Sequence, residues 1–415
     1  MSALFTQIFV ALIAISLFIR IWLGMRHIRH IESHRHQVPQ AFSQTIGLEA
    51  HQRAADYTTA KVKLRLSETI MESFILLALT LGGILQLLDN VWQQWLPSHE
   101  IVRGALVVCS AMLLSSLATL PFDYIQTFNV DARFGFNKMS RGMFFNDLIK
   151  HTLVGLLLGG PILLVALWLM QSTGSGWWFY LWVVWSVFNL FMLAVYPTWI
   201  APLFNKFSPL EDHGLKNRIE ALMQKCGFAS QGLFVMDGST RSGHGNAYFT
   251  GFGKNKRVVF FDTLLDKLNA DEIEAVLAHE LGHFKHKHVI KRIVMMFGLS
   301  LLGLALLGYL MQQDWFYQGL GVTQASNHMA LLLFVLIAPV FMFVLRPLMA
   351  AYSRTNEFEA DHYAAHQSRP QYLIDALVKL YRDNASTLTP DPLHSAFYDS
   401  HPPASLRIAK LQTYA

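Results

Sequence analysis

His279-Glu280-Leu281-Gly282-His283 is the segment whose residue types and spacing could do chemistry. Histidines at i and i+4 lie one turn apart on the same helix face, so both imidazoles can reach one zinc ion. Glu280, beside the first of them, can then act as general base toward a water at that ion. A catalytic zinc keeps three protein ligands and one open position, so a third donor must come from another segment. Glu357-Phe-Glu-Ala-Asp361 supplies it. Glu357 and Asp361 share a helix face at i, i+4, whereas Glu359 points elsewhere. The expected division places Glu357 on zinc and Asp361 on the far nitrogen of a ligating histidine, where it sets the tautomer. The competing reading is a polar helix turn with incidental histidines and solvated carboxylates. Against it, the motif sits in an otherwise apolar helix directly before a membrane-length stretch, where polar groups are costly.

Other histidines in this chain, which has 18 in all, are weaker candidates. A helix continuing through His286 and His288 puts them at i+3 and i+5 from His283. Only His286 then stays near the zinc face, and both are assigned to solvent or substrate. His27, His30, His34 and His36 interleave with Arg26, Arg29 and Arg35, which favours a solvated membrane interface over a metal-buffering tract. Glu68, Glu72, Lys291 and Arg292 lie near span ends, where long polar side chains snorkel.

The elements that must position these residues follow from composition. Of 415 residues, 53% are apolar and 15% charged, against a soluble norm of about 25% charged. This excludes disorder and an ordinary cytosolic enzyme, and indicates a membrane protein carrying a soluble portion. Thirty-three Lys and Arg against 28 Asp and Glu give a net charge of +5, without the basic stripe that nucleic acid would require. Two cysteines cannot build a disulfide framework or a thiolate metal site. Seven stretches are long and apolar enough to span a bilayer, roughly 3–24, 69–90, 101–122, 152–171, 177–199, 289–311 and 328–350. The Ser-rich 101–122 is the weakest, with a re-entrant or buried helix as its alternative. The first stretch reads as a retained anchor, because basic residues follow it rather than precede it. Connections 25–66, 123–151, 200–288 and the tail from 351 are basic, while 91–100, 172–176 and 312–327 contain no Lys or Arg. The positive-inside rule then sets the N-terminus out and the C-terminus in the cytoplasm.

Within the cytoplasmic portion, Gly232–Asp237, Asn246–Phe252 and Arg257–Asp262 are predicted strands around a loop at Gly238–Gly245. Asp271 is the predicted N-cap of the motif helix, which begins at Glu272. The expected organisation is five spans with their loops in 1–200, a first catalytic part in 201–288, two spans in 289–350 and a second catalytic part in 351–415.

These residues carry a family resemblance. His279–His283 followed by Phe284-Lys285, with Ser353-Arg354 ahead of Glu357 and Ala360-Asp361 behind it, resembles the integral-membrane type I CAAX prenyl proteases, which are gluzincin metallopeptidases with seven transmembrane helices. Leu120–Phe128, Arg133–Lys138, Pro202–Lys206, Val235–Ser239, Asn246–Phe249, Phe260–Leu265 and His401-Pro-Pro403 with Arg407 resemble stretches of the same family. Gly243-His-Gly245 departs from it, since the family more often has serines around that histidine. The resemblance implies a mainly α, polytopic membrane protein with about seven transmembrane helices and a gluzincin-like zinc peptidase domain containing a small β-sheet. It also implies one zinc per chain on His279, His283 and Glu357, with Glu280 activating water and Asp361 behind the ligands. Asn246 and the backbone of Ala247 would align a peptide as an added strand, Arg407 would face substrate, and His401 would sit near the oxyanion. A large water-filled intramembrane chamber is implied as well.

The expected function is membrane-embedded zinc endopeptidase activity at the cytoplasmic face. Its partners are membrane lipids and a peptide or protein substrate, with a C-terminal lipid in the family's eukaryotic members; nucleic acid is excluded. The tail carries no dibasic retrieval signal, which favours a bacterial inner membrane over the endoplasmic reticulum. A quality-control protease for misfolded membrane proteins is the alternative within the enzyme class. A metal transporter is the remote rival, whose sites should lie near the bilayer midplane.

Overall fold

The computed structural model describes residues 1–228, 232–250 and 257–414. The chain opens with α1 (Ser2–His34), α2 (Leu48–Leu79), α3 (Ile84–Trp95), α4 (Glu100–Ile125), α5 (Arg141–Ser172) and α6 (Trp177–Val195). It continues with β1 (Phe207–Pro209), α7 (His213–Lys225), β2 (Leu233–Met236), β3 (Ala247–Thr250), β4 (Arg257–Phe261), α8 (Asp262–Leu265) and α9 (Ala270–Lys285). The last third holds α10 (His288–Leu310), α11 (Asp314–Gln318), α12 (Asn327–Met342), α13 (Arg346–Gln367), α14 (Pro370–Asp383), α15 (Pro392–Tyr398) and α16 (Ala404–Gln412).

Among the described residues, six helical segments are long and apolar enough to cross a membrane, and a seventh follows if the bent pair α2–α3 is one span. That pair corresponds to the stretch at 69–90, and its two halves are bent by 52°. Gly82 and Gly83 explain the break. A Cβ on Gly82 would lie 2.5 Å from the Ala78 carbonyl oxygen, and Gly83 adopts a left-handed φ of 76° that side chains resist. The stretch at 101–122, weakest by composition, lies instead inside the unbroken α4. The seventh stretch passes through a short 3₁₀ turn at Phe343–Leu345 straight into α13, so the last span carries Glu357 and Asp361 on its continuation.

Thr6 Oγ1 donates to the Gly319 carbonyl at 2.8 Å, Gln86 Oε1 accepts from Thr323 N at 3.0 Å, and Gln171 donates to Glu100 at 3.2 Å. The N-terminus and the Lys/Arg-poor connections therefore gather at one end of the bundle. Large apolar side chains such as Leu157, Trp199 and Leu302 remain exposed along the spans, as lipid contact allows. A cavity of about 650 Å³ near the opposite end is lined by Arg20, Arg65, Glu68, Asp123, Arg346 and Asp399 among others. Several charged groups of the spans, Arg20, Arg65, Glu68 and Asp123 among them, thus line this cavity.

That opposite end holds the sheet, ordered β1-β2-β4-β3, with β2 and β4 parallel and the outer pairs antiparallel. The predicted strands appear in shortened form, and Gly251-Phe252 lie outside the described residues. The fourth strand of the sheet, β1, carries no alternation that could announce it. One apolar core joins both segments that carry the candidate site, from Ile219, Phe260, Leu277 and Leu281 to Ile374 and Ile408. Phe42 and Ile46 from the first connection are buried in the same core.

Candidate metal centre and active site

Helix α9 starts two residues earlier than the sequence suggests. Asn269, not Asp271, is its N-cap: Asn269 Oδ1 accepts from Glu272 N at 3.0 Å and Glu272 Oε2 from Asn269 N at 2.9 Å. This reciprocal capping box satisfies two otherwise orphaned donors. Asp271 sits in the first turn and pairs with Arg218. Ile273, Leu277 and Leu281 form the buried stripe of α9, which leaves His279 and His283 to face α13. Gly282 makes the approach of those helices possible. A Cβ there would stand 2.8 Å from Ala360 Cα and 3.0 Å from its carbonyl oxygen, so only glycine lets the backbones come this close.

The crossing brings three donors together. His279 Nε2 and His283 Nε2 are 3.3 Å apart, and each lies 3.4 Å from an oxygen of Glu357. Zinc bonds of about 2.0–2.2 Å at the tetrahedral angle separate their donors by about 3.3–3.6 Å, so the two imidazole nitrogens stand one edge of a zinc coordination shell apart, with a different Glu357 oxygen beside each and one donor atom from every residue within 4.8 Å of the others. Glu357 Oε2 is buried without a hydrogen-bond partner, an orphan of the kind that native proteins seldom keep unless an ion takes the lone pair. The donor set therefore fits a zinc ion.

Behind the donors, Asp361 is fully buried. It accepts from His279 Nδ1 at 2.8 Å, and from Arg407 through Nη2 at 2.6 Å and Nε at 2.8 Å. Arg407 Nη1 lies 3.8 Å from Glu357 Oε2. Arg407, expected to face substrate, is buried instead and pairs with Asp361, because α16 packs beneath the site and a guanidinium inside must find a carboxylate. Burial and Arg407 push the His279 imidazole down, yet the hydrogen bond to Asp361 and the neighbouring Glu357 carboxylate outweigh them and raise it to about 9. Burial, with His279 next, holds the His283 imidazole down at about 4. Burial also lifts the Glu280 carboxyl above the ordinary range. His401, on the connection before α16, reaches in from the open side. Its Nε2 is 3.4 Å from Glu357 Oε1 while 64% of the side chain stays exposed.

Strand β3 lies at the sheet edge, and Phe249 packs 4.6 Å from Phe284, one residue past His283. Phe261 N donates to the Asn246 carbonyl at 3.0 Å. By antiparallel alternation Asn246 then faces β4, and Ala247 turns its backbone to the open edge. Among the described residues, the Ala247 N–H donates to the side-chain oxygen of its neighbour Asn246 at 2.9 Å. A cavity of about 770 Å³ runs beside this strand, lined by Tyr248, Phe249 and Phe261 with Asp147 and Arg241.

The histidines after the motif reverse their expected order. His288 Nδ1 lies 2.9 Å from His283 Nδ1, and His288 Nε2 lies 2.9 Å from Glu359 Oε2. His286 is only within 3.9 Å of Glu359. Extrapolating one straight helix fails because α9 ends at Lys285 and Lys287 takes a left-handed φ of 58°. No composition signal marks that turn.

A membrane-spanning bundle whose sheet-bearing end gathers two histidines, a glutamate and a neighbouring base defines a multi-pass membrane metalloprotease. Residues 27–206 match the model described as CAAX prenyl protease N-terminal, five membrane helices, and residues 209–415 match peptidase family M48. The chain belongs to peptidase family M48, a family of zinc metallopeptidases, in its CAAX prenyl protease branch. It is 38% identical over 315 residues to the CAAX prenyl protease 1 homolog of Arabidopsis thaliana, covering 75% of this chain and 74% of that one. With the CAAX prenyl protease 1 homolog of Caenorhabditis elegans it shares 32% identity over 443 residues, 98% of each chain. The crystal structure of S. mikatae Ste24p superposes with a TM-score of 0.92 at 28% identity, covering 98% of this chain and 99% of that one. The mainly α, multi-span architecture with a small sheet and the metalloprotease activity expected from the sequence accord with these relatives.

Proposed function

We propose that His279, His283 and Glu357 hold one zinc ion per chain, and that the site cleaves peptides at the cytoplasmic face of the membrane. The observation that carries this reading is the orphaned Glu357 Oε2 beside two imidazole nitrogens at tetrahedral-edge spacing. Zinc bound there would polarise the scissile carbonyl and acidify a water molecule. Glu280 takes the proton of the attacking water and passes it to the departing amine. Burial raises its carboxyl above the ordinary range, which strengthens it as the acceptor of the water proton. Asp361 keeps the His279 proton on Nδ1, leaving the Nε2 lone pair toward the ligand triangle. Arg407 holds Asp361 in place rather than contacting substrate. His401 supplies a donor from the open side, where charge develops on the carbonyl oxygen. A substrate strand would pair with the open edge of β3, along Ala247 and against the Asn246 side chain.

The relatives' names point to proteins with a prenylated C-terminal CAAX box as substrates, and we assign that lipidated class to this chain. Membrane lipids would surround the bundle, with the N-terminus outside and the catalytic end in the cytoplasm. The test is zinc content by elemental analysis, with cleavage of a C-terminally lipidated peptide and of its unlipidated twin. Wild-type protein should hold one zinc and prefer the lipidated peptide, and Glu357→Ala should lose most of both zinc and activity. Equal cleavage of the two peptides would favour membrane quality control. Zinc transport into liposomes without cleavage would replace the protease reading by a transporter.

A further inference from the structure

The two ligating histidines are held from behind in different ways. His279 Nδ1 reaches the Asp361 carboxylate directly at 2.8 Å. His283 Nδ1 meets a second imidazole, His288 Nδ1, at 2.9 Å, and the far nitrogen of that ring meets Glu359 Oε2 at 2.9 Å. Only one assignment of protons satisfies every contact. A His283 ring that offers Nε2 to the ligand triangle carries its proton on Nδ1 and donates it. His288 Nδ1 must then accept, so the His288 proton sits on Nε2 and is donated to Glu359. Each of the three groups is used once as the chain requires.

The backbone supports this as a built arrangement. In an uninterrupted helix a residue at i+5 lies about 140° around the axis from residue i, too far for His288 to meet His283. Lys287, at φ 58° and ψ 31°, breaks the helix between α9 and α10 and turns His288 back. Left-handed backbone at a residue other than glycine is uncommon and tends to persist where the surroundings demand it. His288 is 5% exposed and stays buried at the junction, while Glu359 projects from α13, two residues past the third ligand.

We infer that His288 and Glu359 are positioning residues for the zinc site, a relay that fixes the tautomer and orientation of His283 through an intervening imidazole. The inference rests on His283 being a zinc ligand. Outer partners of ligating histidines typically contribute about 10–100-fold to metal affinity, and the relay should act within that range.

The experiment uses the purified full chain. Zinc affinity is measured against a chromophoric chelator, the visible spectrum is recorded after cobalt substitution, and folding is followed by thermal melting of the metal-free protein. His288→Phe keeps a ring but offers no acceptor. It should weaken zinc by about 10–100-fold and shift the cobalt bands. His288→Gln restores an oxygen acceptor and should recover most of the loss, which a purely structural role would not predict. Glu359→Ala should weaken zinc by less, and should add nothing on the His288→Phe background, since both sit on one chain. His286→Ala should change neither affinity nor spectrum. If His288→Phe does not fold, Glu359→Ala decides: zinc loss at an unchanged melting temperature supports the relay. Wild-type zinc affinity and spectrum in a folded His288→Phe, or in Glu359→Ala when it alone decides, would overturn it, as would full additivity of the two. A His283→Ala variant that kept its zinc would instead overturn the ligand assignment, and the relay with it.

Discussion

Removing Asp361 should damage the protein twice, once in stability and once in metal affinity, and the two effects can be separated. The Asp361 side chain is 0% exposed and carries two hydrogen bonds from Arg407 and one from His279. In Asp361→Ala the Arg407 guanidinium stays buried, with Glu357 Oε2 at 3.8 Å as its nearest carboxylate oxygen. Breaking a buried pair by deleting one partner costs about 3–5 kcal/mol, because the remaining charge is uncompensated. His279 also loses the acceptor that sets its tautomer, which should weaken zinc by about 10–100-fold. Replacing both partners, as in Asp361→Leu with Arg407→Met, removes the stranded charge, and apolar replacements of buried pairs are often neutral or stabilising. The double variant should therefore regain most of the stability and none of the zinc affinity. Stability is to be read by thermal unfolding of metal-free protein in detergent, so that ligand linkage does not enter. Zinc affinity comes from chelator competition on the same preparation. An Asp361→Ala variant that melts like wild type, or a double variant with wild-type zinc affinity, would refute the reasoning.

Glu280→Gln should retain zinc near the wild-type level while peptide cleavage falls by about 10²–10⁴-fold, measured by elemental analysis and product release. His401→Phe should lower kcat by about 10²–10³-fold with little change in KM, since an oxyanion donor acts on charge that develops in the transition state; an equal rise in KM would move His401 to ground-state binding. Gly282→Ala should cost about 1–3 kcal/mol by overpacking and reduce zinc content, because the new methyl meets Ala360 Cα at 2.8 Å and pushes α13 away. A reporter at the C-terminal end should report cytoplasm and one inserted near Gly319 the opposite side; the same compartment for both would misassign the span that runs through α12.

The primary structure alone determined what is local or periodic. Two histidines at i, i+4 share a helix face whatever surrounds them, and runs of about 20 apolar residues must leave water. The i, i+4 spacing of Glu357 and Asp361 was equally legible, and these residues do lie on one face of α13. Only the tertiary structure decided which partners those faces meet. The bend between α2 and α3 at Gly82-Gly83 was hidden because hydropathy averages over a bend. The seat of Arg407 depends on α16 folding back beneath α9 and α13, a contact 128 residues from His279 in sequence. Gly282 reads as filler in the motif until Ala360 of another helix occupies the space its side chain would need. His288 was misplaced by sequence because helical phase extends only as far as the helix does. One left-handed residue at Lys287 resets that phase, since direction after a turn depends on φ and ψ at a single position that packing, not propensity, selects.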